Sequence, residues 1–327
     1  MHTPALPDLA PMLLTGSVLR NEALDLGLSS SEVHDLVRSG LWVRIRRGAY
    51  AEASVFGSLA PEQQHLVRAG AVVRALGEPA VLGHVTAAIA HGLPVWGADL
   101  SQVHVIRPAR THASRREAGV VHHSAVLPDE HVSQVGGLQV TSVARSVVDH
   151  ARTAGYEPGV CTADAALHRV LVSKDELLTM LRWQQDWPKS RAAGKVVAFC
   201  DGRAESVGES RGRVRIDQAG LPTPEPQAII LDVSGAFVAR VDFLLREQNT
   251  IGEFDGRLKY RVGSGADDPG DVVWQEKLRE DRLRGLGFQI VRFVWDDLER
   301  GPTWLRRLFL PAFERARLSG PPRALVA

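Results

Sequence analysis

The stretch "GEFDGRLKY", residues 252–260, places Glu253 and Asp255 two positions apart and Lys259 just beyond them. Residues two apart on a β-strand share a face. The two carboxylates therefore repel unless that face is wet or a cation lies between them. The preceding run "VARVDFLL" is expected as a strand with Val241 and Phe243 on one face and Asp242 on the other. If the two strands pair through the "REQN" turn, Asp242, Glu253 and Asp255 converge. Three carboxylates so close raise one another's pKa unless a cation holds them. Oxygen ligands suit a hard ion that keeps several waters, Mg2+ or Mn2+. Such an ion polarises a phosphate and acidifies an attacking water. Lys259 is placed to stabilise charge developing on phosphorus or to orient that water. Glu209, upstream, reaches the same ion if its helix packs across the sheet. The plainer alternative is a solvated acidic hairpin face with an Asp-Gly turn.

These residues need a frame. "ESVGESRGRVRIDQAG" reads as a helix ending at Gly220 and "LPTPEPQ" as a rigid proline connection. "AIILDVSGAFVARVDFLL" reads as two strands around an Asp-Val-Ser-Gly turn, and "NTIGEFD" as a third. A charged helix follows, "DPGDVVWQEKLREDRLRGLG", stopped by Gly287. "FQIVRFVWDDL" is expected as the last strand and "TWLRRLFLPAFERARL" as the last helix.

Near the N-terminus, "SVLRNEALDLG" is a short amphipathic helix and "LSSSEVHDLVRSG" a second, serine-capped one stopped at Gly40. Two such helices around a glycine turn make a helix-turn-helix. "LWVRIRRGAY" alternates, with Val43 and Ile45 on one side and Trp42, Arg44 and Arg46 on the other, and turns near Arg47-Gly48 as a wing would. A recognition helix needs short polar and basic side chains to enter the major groove. Ser30, Ser31, His34 and Arg38 supply them. Arg44, Arg46 and Arg47 are suited to phosphates, which position a protein without specifying sequence. The alternative is a protein-contact winged helix, which Asp35 favours.

The middle of the chain reads as mixed α/β, with helices at "PEQQHLVRAGAVVRALG", "HVTAAIAHGLP", "SVARSVVDHART" and "SKDELLTMLRW", and strands at "QVHVIRP", "GVVHHSA" and "GLQVT". Arg145 and Asp149 are spaced to pair along their helix. "WPKSRAAGK" has turn composition. His84 and His91 share a helical face, whereas His122 and His123 point to opposite faces of a strand. Without a carboxylate to complete a zinc set, these histidines are expected to be structural or exposed.

Composition narrows the function classes. The chain has 327 residues, a net charge of +1, 44% hydrophobic and 24% charged residues, as expected for a globular protein of more than one domain. Its basic residues are clustered locally. Two cysteines without a CxxC argue against a disulfide framework or a cysteine-rich zinc site and suit a reducing cytoplasm. No uninterrupted run of eighteen apolar residues predicts a membrane span, and no GxxxxGK[ST] or GxSxG motif is present.

Residues 205–298 resemble the endonuclease-like domain related to very-short-patch-repair nucleases of the PD-(D/E)XK superfamily. The resemblance rests on "GES" with Glu209, "GLPTPEPQ", "RVDF", "GEFDG", "EKLREDRLRGLGF" and "VRFVWDDL". It implies a metal-dependent cut in a nucleic-acid backbone, with the acids mapping onto Glu209, Asp242 and Glu253. The chain departs from the pattern at Asp255, where the superfamily places lysine, so Lys259 must substitute. Asp281, Arg282 and Arg292 also match; Asp281 and Arg282 read as helix-face residues. Residues 13–51 resemble the winged helix of AbiEi-type antitoxins of type IV toxin–antitoxin systems, and "TAAIAHGLP" with "VTSVARSVVDHAR" resembles the remainder of such proteins.

The expected architecture is α/β multidomain: a winged helix-turn-helix (1–55), an α/β middle domain (56–200) and a restriction-endonuclease-like α/β domain (201–327). The expected function is a cytoplasmic DNA-binding protein. It either cuts DNA with Mg2+ or Mn2+ held by Glu209, Asp242 and Glu253, aided by Asp255 and Lys259, or acts as a non-enzymatic antitoxin-like regulator alongside a cognate toxin system.

Overall fold

The computed structural model describes residues 16–77, 80–110, 113–256 and 269–326. The described residues are mixed α/β, with three sheets, and the chain divides into two units, one ending at Cys200 and the other beginning at Asp201.

The first unit opens with β1 (Val18–Leu19), α1 (Arg20–Asp25), α2 (Ser30–Arg38), β2 (Trp42–Arg46) and β3 (Ala49–Glu52), in a sheet of order β1-β3-β2. Helices followed by a hairpin are consistent with the expected winged helix-turn-helix. Gly27 and Gly48, at φ +94° and +74°, form the inter-helix turn and the hairpin turn, where a Cβ would be strained. Ser29 caps α2: its Oγ accepts from the Glu32 amide at 3.2 Å, and the Glu32 carboxylate accepts from the Ser29 amide at 2.7 Å. Two further helices follow, α3 (Ala53–Ser58) and α4 (Pro61–Leu76). Val43 and Ile45 point inward, as their alternation requires, onto Ala51, Phe56 of α3 and Val67 of α4. Arg74 of α4 ties the small sheet down. Its guanidinium donates to Glu22 at 3.0 Å and to the Ser17 carbonyl at 2.8 Å, while Glu22 accepts the Leu19 amide.

The same unit continues through β4 (Val81–Leu82), α5 (His84–Ala90), β5 (Val103–Pro108), β6 (Ala113–Glu117), β7 (Val120–Ala125), β8 (Val132–Val135) and β9 (Leu138–Thr141). These strands form a mixed sheet, β6-β7-β5-β4-β9-β8, with β5 parallel to β7 and β4 parallel to β9. Four helices complete it: α6 (Val143–Ala154), α7 (Tyr156–His168), α8 (Lys174–Trp183) and α9 (Ser190–Phe199). The Arg145–Asp149 pair forms at 2.6 Å with both side chains fully buried. Arg152 and Gln184 also hold Asp149, at 2.7 and 3.1 Å, and Trp187 stacks on Arg145. Such a pair is held by its hydrogen bonds as much as by Coulomb attraction. The turn expected at "WPKSRAAGK" is found over Trp187–Lys189 and is corrected from Ser190 onward. Lys189 is left-handed at φ +63°, and α9 begins immediately after it. Ala193, Val196 and Val197, at helical spacing, are all buried, and this packing outweighs the poor local propensity of Gly194.

The second unit contains α10 (Val207–Gln218), β10 (Glu225–Asp232), β11 (Phe237–Leu245), β12 (Thr250–Phe254), α11 (Pro269–Gly285), β13 (Gln289–Phe293), α12 (Trp295–Glu299), α13 (Pro302–Ser319) and β14 (Ala324–Val326). Its sheet runs β13-β12-β11-β10-β14, antiparallel except for the β12–β13 pair, which α11 connects. Two apolar clusters hold the sheet. One joins Phe243, Leu245 and Phe293 to Ile216 of α10 and Phe309 of α13. The other joins Ala239, Val241 and Ile251 to Leu283 of α11. Val241 and Phe243 pack into different clusters, and both are buried with Asp242 between them partly exposed, as alternation requires. Gln227, between Pro226 and Ala228 that pair with Phe243 and Val241, is left-handed at φ +55°, and the register of β10 with β11 shifts at Ile230/Leu231. The expected last strand also ends early. "WDD" begins α12, where the Asp297 carboxylate accepts the Val294 amide at 3.0 Å.

The tightest approach in the second unit is that of α10 to β12. A Cβ on Gly208 would lie 1.9 Å from the Phe254 ring. Gly208→Ala should therefore lower the unfolding free energy in urea by about 1–3 kcal/mol, and Phe254→Leu in the same chain should recover part of the loss. An unchanged urea midpoint for Gly208→Ala would contradict this packing.

Candidate functional site

The candidate DNA-facing residues are largely exposed. Ser31, His34 and Arg38 project from α2, and Arg44 and Arg47 from the hairpin. Arg38 pairs with Asp35 at 2.7 Å, but both side chains are more than half exposed, so water competes strongly with the pair. Asp35 therefore offsets part of Arg38's charge without burying it. Arg46 differs from its neighbours. It is half-buried, its Nε and Nη1 make no hydrogen bond, and burial lowers its pKa. Arg20, not singled out by sequence, donates to Ser30 Oγ at 2.8 Å and brings a further positive charge to the start of α2. Trp42 and Tyr50 pack with ring centroids 5.9 Å apart, and Tyr50 is the register partner of Arg44.

The acids of the second unit are positioned by β-pairing. Phe243 pairs with Gly252, which makes Asp242 and Glu253 direct cross-strand neighbours. Asp242 Oδ2 accepts the Phe254 amide at 2.8 Å. Glu253 is held by Arg279 of α11, whose two terminal nitrogens both lie 3.2 Å from its Oε1. Glu209, near the start of α10, is buried, and its carboxylate accepts from Ser206 Oγ, the Glu205 amide and Gln227 Nε2 at 2.8, 3.0 and 2.8 Å. Gln227 reaches Asp242 as well, and so links the two acids. Asp255 follows β12, and its amide donates to the Phe293 carbonyl at 2.9 Å. Lys259 lies outside the described residues.

Burial dominates the electrostatics here. Desolvation raises Asp242 to about 6, reinforced by the charge of Glu209 and opposed by the Phe254 amide and Arg279. Desolvation raises Glu253 to about 7, reinforced by Asp242 and opposed by Arg279. Arg279 is itself raised, first by its hydrogen bond to Glu276 and then by Glu253. Arg292 completes the surroundings with contacts to Glu276 at 2.5 Å and Glu280 at 2.9 Å. Gln227 and Arg279 both lie inside the quoted motifs, yet neither residue type announces a site. Only the register of β10 and the packing of α11 reveal their part.

A third group is in the first unit. His84, His104 and His123 each offer a ring nitrogen, and these atoms all lie within 4.8 Å of one another. Among the described residues, this set and not the three acids meets that spacing. The reading of isolated structural histidines overlooked the group because His104 comes from β5, between the two segments considered. His84 is left-handed at φ +53°, an uncommon conformation for a residue with a side chain.

Comparison with known proteins adds two findings. Residues 7–53 match the family described as transcriptional regulator, AbiEi antitoxin. An uncharacterized protein of Mycobacterium tuberculosis strain CDC 1551 / Oshkosh is 29% identical over 287 residues, covering 87% of this chain and 97% of its own length. An uncharacterized protein of strain ATCC 25618 / H37Rv shows the same identity and coverage. The similarity to these two proteins therefore extends into both units.

The raised acids have a consequence for stability. A carboxyl group whose folded pKa exceeds its unfolded value holds a proton that the unfolded chain has released. Stability should therefore fall as pH rises from the ordinary values of 3.8 and 4.5 through about 6 and 7, and level off above. Asp242→Asn or Glu253→Gln should flatten that fall and stabilise the protein at pH 8 by about 2 kcal/mol. Urea denaturation at pH 5 and pH 8 measures this; a wild type that gains stability across the interval would refute it.

Proposed function

We propose that the protein is a DNA-binding transcriptional regulator of the AbiEi antitoxin type. One observation carries this reading. The family match over residues 7–53 falls on the helix pair and hairpin that expose Ser31, His34, Arg38, Arg44 and Arg47. In this reading α2 enters the major groove, and Ser31, His34 and Arg38 meet base edges and nearby phosphates. Arg44 and Arg47 bind the backbone, and Arg46 supports the hairpin from its half-buried position. An antitoxin-type regulator acts beside a toxin, so a cognate toxin system is part of the proposal. Arg44→Ala with Arg47→Ala should weaken binding to duplex DNA and reduce the slope of log affinity against log salt by about 2, as read by fluorescence anisotropy. An unchanged slope, or the absence of any protected site in footprinting of the neighbouring promoter region, would overturn this reading.

A second reading is favoured by the partly buried Asp242–Glu253 pair, whose desolvation is costly for a purely scaffolding role. In it the C-terminal unit hydrolyses phosphodiester bonds. Asp242 and Glu253, with Glu209 linked to them through Gln227, would hold Mg2+ or Mn2+. The bound ion would supply Lewis-acid activation of the phosphate and of water. The protein's own groups have distinct tasks. The Phe254 amide and Gln227 fix the carboxylates. Arg279 restrains Glu253 and presents positive charge towards a phosphate. Asp255 stands at the end of β12 where the superfamily pattern has its lysine and would assist from there, and Lys259, four residues further on, would substitute for that lysine's charge. Metal-dependent nicking abolished by Asp242→Ala and Glu253→Ala is the expected outcome. No cleavage of duplex, mismatched or single-stranded DNA in either metal would leave the regulator reading alone.

A further inference from the structure

We infer that His84, His104 and His123 form a binding site for a divalent transition metal, zinc first, in the sheet of the N-terminal unit. The site is independent of the carboxylates of the second unit. His84 opens α5, His104 is on β5 and His123 on β7, so the three side chains come from three elements. The parallel register aligns His104 with Val121 and Ile106 with His123, which places the two strand histidines diagonally across one face. His122 falls on the other face.

The donor chemistry is that of zinc. Three neutral imidazoles with a fourth position left to water are an established ligand pattern for Zn2+, and nitrogen donors select against Mg2+ and Ca2+. His104 Nδ1 and His123 Nε2 are 3.0 Å apart. Two nitrogens on one tetrahedral zinc stand about 3.3 Å apart, from Zn–N bonds of about 2.0–2.1 Å. All three nitrogens already lie within 4.8 Å, so rotation of the rings by roughly 1.5 Å at the nitrogen closes the set around an ion.

The outer contacts agree. His84 Nδ1 lies 3.2 Å from the Asp149 carbonyl. A carbonyl only accepts, so Nδ1 carries the proton and Nε2 keeps its lone pair. Metal-binding histidines are commonly oriented by this kind of backbone contact. Asp149 is itself fixed by Arg145, Arg152 and Gln184, so the orienting carbonyl belongs to a rigid helix. The three rings pack with centroids 3.7, 5.1 and 5.6 Å apart. Such packing is compatible with neutral imidazoles and opposes protonation of all three together. His104 and His123 are only half-buried, which leaves water a route to the fourth position.

The test uses the full chain, stripped with a chelator and titrated with Zn2+ by isothermal calorimetry, in parallel with Co2+ followed by visible absorption. The expected result is one saturable Zn2+ per chain and tetrahedral Co2+ bands. His104→Asn with His123→Asn should weaken zinc binding at least tenfold, while His122→Asn and Asp242→Asn leave it unchanged. X-ray absorption of the zinc-loaded wild type, which needs no variant to fold, should give a nitrogen-dominated first shell with imidazole back-scattering. No saturable zinc site, equal binding in the His104/His123 variant, or an oxygen-only shell would overturn the assignment.

Discussion

The second unit is organised around one unfavourable interaction, the burial of Asp242 beside Glu253. Cross-strand pairing of β11 with β12 forces the two carboxyls together, and little water remains to solvate them. Neighbouring elements compensate. The Phe254 amide serves Asp242, and Arg279 of α11 serves Glu253. Gln227 holds Glu209 from a left-handed backbone position inside a strand, a conformation that costs energy and persists only where its surroundings enforce it. Gly208 lets α10 approach Phe254 closely enough to place Glu209 in this group. Backbone strain, a missing side chain and raised pKa values thus meet at one location, and each costs stability.

The first unit follows the opposite logic. Its charged groups around Asp149 are buried but matched, with two arginines and a glutamine answering one carboxylate. Its hairpin carries exposed charge in Arg44 and Arg47, beside the half-buried Arg46. The Arg74–Glu22–Ser17 contacts fasten the hairpin sheet to α4, so those arginines project from a fixed support rather than from a loose arm. Fixed support matters for DNA recognition, since phosphate contacts set the register in which base contacts operate.

Much of this was legible in the sequence because it depends on short-range patterns. The Ser29–Glu32 cap, the alternation of Val43 and Ile45, the Arg145–Asp149 spacing and the strand signals around Asp242 and Glu253 are local, and each element formed where its pattern placed it. Other features are set by distant packing. "WPKSRAAGK" carries turn residues and begins as a turn, yet Ala193, Val196 and Val197 find a core to bury into and the chain from Ser190 becomes α9. Val241 and Phe243 are both buried as their alternation requires, but which cluster each joins is set by the helices packed on the sheet. Arg279 and Gln227 enter the acidic group through register and helix packing, which no spacing within a single segment encodes. The histidine trio was hidden for the same reason, since its members are brought together by a parallel pairing and a helix start.

Asp242 and Glu253 are desolvated cross-strand partners, and the proposed phosphodiesterase reading requires them to take up a cation. Side-chain carboxyl 13C NMR of selectively labelled protein, titrated from pH 3 to 9 with and without magnesium, tests it most directly. The account predicts metal-free midpoints near 6 for Asp242 and near 7 for Glu253, both moved to lower pH by magnesium. Midpoints near the ordinary carboxylate values, unaffected by the metal, would contradict it.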